Sequence, residues 1–364
     1  MSAAGHPTRT EEITAGWVTR ALRDGGECRD SSVTEIEVTP VGGVGVGFLS
    51  GTVRVGLTYD RAEPTAPASV VVKLPAAAEP NRRLGDSFHA YEREVRFYRE
   101  IAPRSGIRVP RCYYTALDPE AGVFVLVIED LSGLTSGDQV KGLTVEQARA
   151  AIDAIAPFHA QWWNHPELAA LTWMPLENLD IHHLFAQHWP AVRYQLYSEL
   201  TPEELAVGDR LNWQGDQLAD LVAPAPRTIV HWDYRADNLI FGDLHGQDPV
   251  VVLDWQLAQR SMGAFDVARV LCGSVPPDEQ RGRHRELVAR WHELLVEGGV
   301  KGYSAEQAWN DFLKGLLLCL YNPVAFRDFG EKAGKRGKAL VDAMTHRFFR
   351  AAVECDACRV LGSG

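Results

Sequence analysis

Apolar residues recur along this chain with two different periods. From Glu11 to Arg23 they fall at Ile13, Trp17, Val18, Ala21 and Leu22, a helical stripe with acidic residues in its first turn. From Val33 the period shortens. Val33 to Val41, Gly51 to Tyr59 and Val70 to Leu74 are rich in Val and Thr and are separated by Gly and Pro, which predicts strands. Asp86 to Ile101 returns to helix, with Phe88, Tyr91, Val95, Phe97 and Tyr98 on its buried face, and Arg111 to Leu117 and Gly122 to Glu129 again predict strands. Beyond about residue 143 helices dominate: Thr144 to Trp163, Ile181 to Ser198, Pro202 to Leu221, Glu279 to Glu297, Ser304 to Leu320 and Val324 to Cys355. One β-like island interrupts them, at Thr228 to Val230, Asn238 to Phe241 and Val250 to Leu253. Ala62 to Ala68 and Pro75 to Pro80 read as loops. The pattern predicts an α+β fold, with a small, mostly antiparallel lobe over residues 1–130 and a larger, mostly helical lobe over 131–364, the boundary falling between Glu129 and Thr144.

Composition narrows the picture. The length of 364 residues suits two lobes with a core each, and 46% hydrophobic with 23% charged residues excludes a disordered or coiled-coil chain. A net charge of −11 argues against a nucleic-acid binder, because neutralising phosphates needs clustered Lys and Arg; it accommodates a cationic substrate. No apolar run approaches the ~20 residues of a membrane span. Six scattered cysteines and no secretion-like start predict a reducing cytoplasm. The pair Cys355-x-x-Cys358 lies in a helical run from Phe348 to Leu361, with no second pair and no nearby His, and reads as two packed thiols. Oligomeric state has no signature here.

The candidate chemistry concentrates in His231-Trp232-Asp233-Tyr234-Arg235-Ala236-Asp237-Asn238, a polar loop between two short apolar strands. Sixteen residues after Asn238, the apolar strand Val250 to Leu253 ends in Asp254. A carboxylate leaving a buried strand is well placed as a metal ligand. Magnesium takes one or two protein oxygens and leaves its other positions to water and phosphates, a set that Asn238 and Asp254 can supply. Asp233 is then available to orient a substrate hydroxyl and accept its proton; an ordinary carboxylate is a weak base toward an alcohol, yet adequate if the proton leaves late. His231 reads as structural. Upstream, Lys73 ends the apolar run Val70 to Leu74, where burial is costly unless an anion meets it, and Glu94 on the following helix can pair with it, with Glu92 as a rival. Gly42 to Gly47, including Gly43 and Gly45, would let backbone amides approach phosphate, although glycines between strands more often mark a turn.

In this order the glycines, Lys, Glu, H-x-D-x-x-x-x-N and strand-Asp resemble the aminoglycoside phosphotransferase and choline kinase group of small-molecule kinases. His231 to Gly242, Val251 to Gln256 and Gly263 to Asp266 resemble especially its ecdysteroid-kinase-like branch and bacterial relatives. The motifs span about Val41 to Leu271. The resemblance implies a protein-kinase-like bilobal fold, ATP between the lobes and transfer of the γ-phosphoryl group to a hydroxyl of a small acceptor. Carried over by position, Asp233 is the catalytic base, Asn238 and Asp254 hold Mg2+, Lys73 contacts phosphate with Glu94 as its partner, and backbone near Glu129 and Leu131, in the run Phe124 to Leu131, binds adenine. Asp254-Trp255-Gln256 replaces Asp-Phe-Gly and no Ala-Pro-Glu segment follows, which disfavours a protein substrate; the glycine loop departs from G-x-G-x-x-G-x-V.

Competing expectations remain open at this point. A nucleotide-binding pseudokinase would keep the fold without turnover, and a metal hydrolase would use His231, Asp233, Asp237 and His245. Asp237 reads as an Asx-turn bracing the loop and Asp266 as the N-cap of Val267 to Leu271. Trp162, Trp163, Trp173 and Trp189 read as core, with an acceptor pocket as the alternative. The acceptor itself is not legible.

Overall fold

A computed structural model describes residues 5–41, 49–176, 181–243, 246 and 249–362. Its chain contacts separate two compact units, one of residues 1–104, 109–134 and 253–257, the other of 105–108, 135–252 and 258–364.

The first unit is built on helix α1 (Ala15–Asp24), strands β1 (Val33–Pro40), β2 (Ser50–Tyr59) and β3 (Ser69–Pro75), helices α2 (Glu79–Ser87) and α3 (Ala90–Arg96), and strands β4 (Cys112–Asp118) and β5 (Val123–Glu129). The strands form one antiparallel sheet in the order β1-β2-β3-β5-β4. Alternation of side chains along β3 divides its work between two faces. Val70, Val72 and Leu74 join Val55, Val125 and Val127 in a core covered by Trp17, Val18 and Leu22 of α1. Each such fully buried side chain contributes about 1.5–3 kcal/mol. Lys73 lies on the opposite face, in register with Thr52 and Leu126. Helix α1 starts at Ala15 rather than Glu11 because the Thr14 hydroxyl accepts from the Trp17 N–H; Thr10–Glu12 forms a separate 3-10 turn. The helix expected over Asp86 to Ile101 is broken at His89, whose φ is +51°, and α3 ends in a π turn at Phe97–Ile101. Pro80, expected in a loop, instead sits in the first turn of α2, where its missing N–H costs nothing.

The second unit contains β6 (Thr135–Ser136), α4 (Val145–Gln161), α5 (Ile181–Gln195), α6 (Pro202–Val222), β7 (Thr228–Val230), β8 (Leu239–Phe241), β9 (Val250–Val252), β10 (Gln259–Ser261), α7 (Ala264–Ser274), α8 (Pro277–Gln280), α9 (His284–Glu297), α10 (Ala305–Cys319), α11 (Tyr321–Ala325), α12 (Arg327–Lys332) and α13 (Gly334–Glu354). Three starts are encoded as capping boxes, Thr144 with Gln147, Thr201 with Glu204 and Ser304 with Gln307. Every residue of α7 is buried, and α4, α9, α10 and α13 pack around it. β6, β8 and β9 form a small sheet in which Leu239 pairs with Val252, and β7 pairs with β10. Two helices expected to be continuous are divided: left-handed Gly282 (φ +76°) separates α8 from α9, and the run expected over Val324 to Cys355 breaks at Phe326, between α11 and α12, and again where left-handed Gly334 (φ +87°) opens α13. α13 stops at Glu354, so the helical run expected through Leu361 is wrong; Asp356 is left-handed and Ala357–Leu361 is a 3-10 turn. Trp162, Trp173 and Trp189 are buried, the last stacked between Phe185 and Phe349. No described helix is long and apolar enough to cross a membrane.

Candidate active site

Two clusters of charge stand out, one in each unit. In the first, Lys73 on β3 meets Glu94 on α3, with Nζ 2.6 Å from Oε1 and 2.7 Å from Oε2, and Asp254, with Nζ 2.8 Å from Oδ1. Lys73 is 6% exposed and Glu94 1%. Glu92, the rival, faces Arg96 on the helix surface. Asp254 reaches the cluster because Trp255 stacks flat on Phe97, centroids 4.0 Å apart, fixing Leu253–Leu257 against α3. Its φ of +64° is strained for a non-glycine residue, at about 1–3 kcal/mol. The Gln256 amide folds back to donate to Asp254 Oδ2 (3.0 Å), and its own Oε1 is buried without a partner.

Burial works against the charged form of Lys73, but Asp254 and Glu94 outweigh it and raise its pKa. Glu94 also rises, to about 7, chiefly through burial and then Asp254, against the pull of Lys73. A paired carboxylate ordinarily goes down. The two directions are reconciled by counting charge: two carboxylates surround one ammonium, so the ammonium stays charged and the surplus negative charge presses on the more buried acid.

Glu129 and Leu131 follow the end of β5. Glu129 donates its N–H to the Arg111 carbonyl (2.8 Å) and its carboxylate accepts from the Arg111 N–H (3.0 Å). Between them Asp130, to which no role was assigned from sequence, accepts from Arg54 Nε and Ser69 Oγ, each at 2.5 Å, and from the Ser132 N–H. Burial opposes these bonds, yet they bring its carboxyl down to about 2. Gly43 and Gly45 lie outside the described residues.

In the second unit, the loop between β7 and β8 carries Asp233 on a rigid mount. Asp266 was expected to cap a helix starting at Val267. It is instead inside α7, fully buried, and its carboxylate accepts from the backbone N–H of His231 (2.7 Å) and Trp232 (2.9 Å). His159 Nε2 meets the same carboxylate at 3.3 Å and Trp291 Nε1 donates to His159 Nδ1 (3.2 Å), which leaves the proton on Nε2. These bonds hold Trp232 at φ +70°, its ring stacked on Phe265. His231 Nδ1 accepts from the Asp233 N–H (3.2 Å), a structural bond.

Both Asp233 oxygens are engaged. Oδ1 accepts from Arg269 Nη2 (2.7 Å); Oδ2 accepts from Arg235 Nε (3.0 Å) and Asn238 Nδ2 (3.1 Å). Burial would raise its pKa, but the two guanidiniums outweigh burial and hold the carboxyl well below the usual range. With Nδ2 turned to Asp233, the Asn238 amide keeps Oδ1 as its acceptor. Asp237 does more than an Asx-turn: Oδ1 accepts from the Gln139 N–H (2.8 Å) and Arg336 Nη2 (3.1 Å), Oδ2 from Arg235 Nη1 (2.5 Å). Arg269, Arg235 and Gln139 had no role from sequence. Arg269 could have been found, because Asp266 and Arg269, three residues apart, are the charged pair of an otherwise apolar helix. Among the described residues no group of three or more His, Cys, Asp or Glu could hold a metal ion, and His245, one of the four residues of the hydrolase reading, lies outside them.

A family model described as the phosphotransferase enzyme family matches residues 54–310. No curated protein matches the sequence. Among solved structures, a provisionally assigned aminoglycoside phosphotransferase from Ralstonia eutropha JMP134 is similar at 18% identity over 94% of this chain and 97% of its own, with a TM-score of 0.54. The GDP and kanamycin complex of APH(2″)-IIIa is similar at 14% identity over 93% and 99%, with a TM-score of 0.55. An ethanolamine kinase from Plasmodium vivax is similar at 10% identity over 88% and 81%, with a TM-score of 0.50. At such identities the likeness is one of fold, the α+β protein-kinase-like fold of small-molecule kinases.

Proposed function

The chain belongs to the phosphotransferase enzyme family, and from that premise we propose that it moves the γ-phosphoryl group of ATP onto a hydroxyl of a small molecule, with Mg2+. The observation that carries the reading is the Asp233 carboxylate, presented on a loop fixed at both ends by strands and held by Arg235, Arg269 and Asn238. Asp233 orients the acceptor hydroxyl. As that oxygen bonds to the γ-phosphorus and the bond to the β,γ-bridging oxygen breaks, the hydroxyl proton passes to an Asp233 carboxylate oxygen and ADP leaves. A base held below its ordinary pKa takes that proton late, which suits a loose transition state in which positioning matters more than basicity.

Lys73 is the phosphate contact and Glu94 its partner, with backbone near Glu129 and Leu131 the adenine contact and Gly43 and Gly45 further phosphate contacts. Taken residue by residue, the donor chemistry suits a magnesium ion. Asp254 and Asn238 are hard oxygen donors, the Lys73–Glu94–Asp254 group carries surplus negative charge, and the orphaned Gln256 Oε1 beside Asp254 asks for a donor that a hydrated cation's water could provide. When bound, the ion neutralises charge on the phosphate oxygens.

The reading is tested by a screen of aminoglycosides, choline-like amines and other hydroxylated metabolites for ADP release, with mass detection of one added phosphoryl group. ADP release that depends on an acceptor, with a phosphorylated product, is expected. Nucleotide binding without turnover on any acceptor would favour a pseudokinase instead.

A further inference from the structure

The family match ends at residue 310, yet the loop that carries Asp233 is braced by a helix beyond it. The brace runs through Gln139, which has no accessible surface. Its side-chain Nε2 donates to the Gly273 carbonyl (2.7 Å), and its Oε1 accepts from the Ala236 N–H (2.9 Å) and Ser274 Oγ (2.9 Å). Its backbone N–H donates to Asp237. One residue thus ties the middle of the Asp233 loop to the C-terminal end of α7. The segment around it is pressed hard onto the loop: a Cβ on Gly137 would lie 2.2 Å from the Ala236 carbonyl oxygen.

What holds Gln139 is Arg347 of α13. Arg347 is 6% exposed and its guanidinium donates to carbonyls, Nη1 to Gln139 (2.7 Å) and Gly273 (3.2 Å), Nη2 to Val140 (2.9 Å). No carboxylate among the described residues forms an ion pair with it. Burial lowers the pKa of Arg347 in spite of the nearby Asp138 carboxylate; burying a charge whose hydrogen bonds go only to neutral carbonyls is expensive, and stability would be served better by an apolar residue of similar volume. The arrangement makes sense as a device that fixes the Gln139–Val140 segment in one place. Two further residues of α13 point the same way. Arg336 reaches Asp237 Oδ1 (3.1 Å), and the ring of Phe348 lies under the guanidinium of Arg269, which holds Asp233 Oδ1.

We propose that α13 is a positioning element for the Asp233 loop, with Arg347 acting through Gln139 as its principal positioning residue. The inference rests on the reading of Asp233 as the catalytic base. A displacement of about 1 Å at such a group can cost about 100-fold in rate, so the brace governs kcat while leaving nucleotide affinity alone.

The experiment combines amide hydrogen exchange with kinetics on the full chain. For Gln139→Met, which leaves the Ala236 N–H only its second acceptor, Ser274 Oγ (3.1 Å), and for Arg347→Met, which releases Gln139, exchange at residues 234–239 should rise by about tenfold or more, with α10 unchanged. kcat should fall by about 10- to 100-fold with KM for ATP nearly constant, and Arg347→Lys, which can still donate to two carbonyls, should recover part of it. Arg336→Ala, whose side chain is 37% exposed and whose loss spares the core, should give a smaller change of the same kind should the buried variants not fold. Exchange rising equally throughout the second unit, or loop exchange and kcat both at wild-type values, would overturn the proposal. Should the wild type transfer no phosphoryl group while the loop still loosens in the variants, the brace stands and the kinase reading falls.

Discussion

Replacing Lys73 by Met removes the one cation that two carboxylates share. Oxygens lying 2.6 and 2.8 Å from the same nitrogen, those of Glu94 and Asp254, are at most 5.4 Å apart. At that separation two unit charges repel by about 3 kcal/mol for an effective dielectric of about 20. Asp254 already exerts that repulsion in the native protein, where Glu94 sits at about 7 against the pull of Lys73; the variant loses that pull, which acts at the shorter distance of 2.6 Å and is therefore at least as large, a further rise of about 2 pK units or more. A folded pKa above the unfolded one means stability that is full at low pH and is lost as pH rises through the folded value. In the native protein that loss is complete soon after pH 7; in the variant it continues to about pH 9. The stability deficit of Lys73→Met should therefore widen by about 1.4 kcal/mol per unit between pH 7 and 9. The overall cost at pH 8 should be about 3–5 kcal/mol, the range for breaking a buried pair. Urea unfolding of both proteins at pH 6, 7, 8 and 9 gives the difference directly. Glu94→Gln, which removes the surplus charge, should show no such slope. A deficit for Lys73→Met that is flat with pH, or that narrows as pH rises, would refute the charge assignment of the cluster.

Three further outcomes are expected. Arg269→Met removes one of the two guanidiniums that depress Asp233, so the acid limb of kcat should move up toward the ordinary carboxylate range; a pH–rate profile identical to the wild type would show that Arg269 does not act on the base. Burial brings His284 down to about 4, so its contribution to stability is present above about 6.5 and lost as pH falls, by about 3 kcal/mol in all; in His284→Leu that part of the acid slope should vanish in denaturant titrations. Burial also raises Cys272 and pushes Cys319 and Cys355 up to about 12, so a thiol reagent at neutral pH should label these three only on unfolding, and rapid native labelling at any of them would contradict their placement.

Lys73 and Glu94 were legible because a charge that ends an apolar strand is anomalous and a helix places acids on distinguishable faces; the structure gives Glu94 to Lys73 and leaves Glu92 to Arg96. The polar loop around Asp233 was legible for the same reason, polarity between two apolar strands. A helix boundary placed three residues too late, at Val267 rather than Ala264, turns the buried anchor Asp266 into an apparent cap. The helix breaks at Gly282 and Gly334 depend on a left-handed backbone that apolar spacing does not encode. Gln139 and Arg347 are separated by more than 200 residues and gain their meaning only from packing. The attachment of Leu253–Leu257 to the first unit follows from the Trp255–Phe97 stack, which periodicity could not reveal.

The central claim is that the Asp233 carboxylate serves transfer rather than nucleotide binding. Single-turnover transfer of a labelled γ-phosphoryl group from ATP to an identified acceptor, measured for the wild type and Asp233→Asn alongside nucleotide affinity, tests it most directly. The account predicts that labelled product disappears in the variant while ATP binds nearly as before; transfer persisting near the wild-type rate would contradict it.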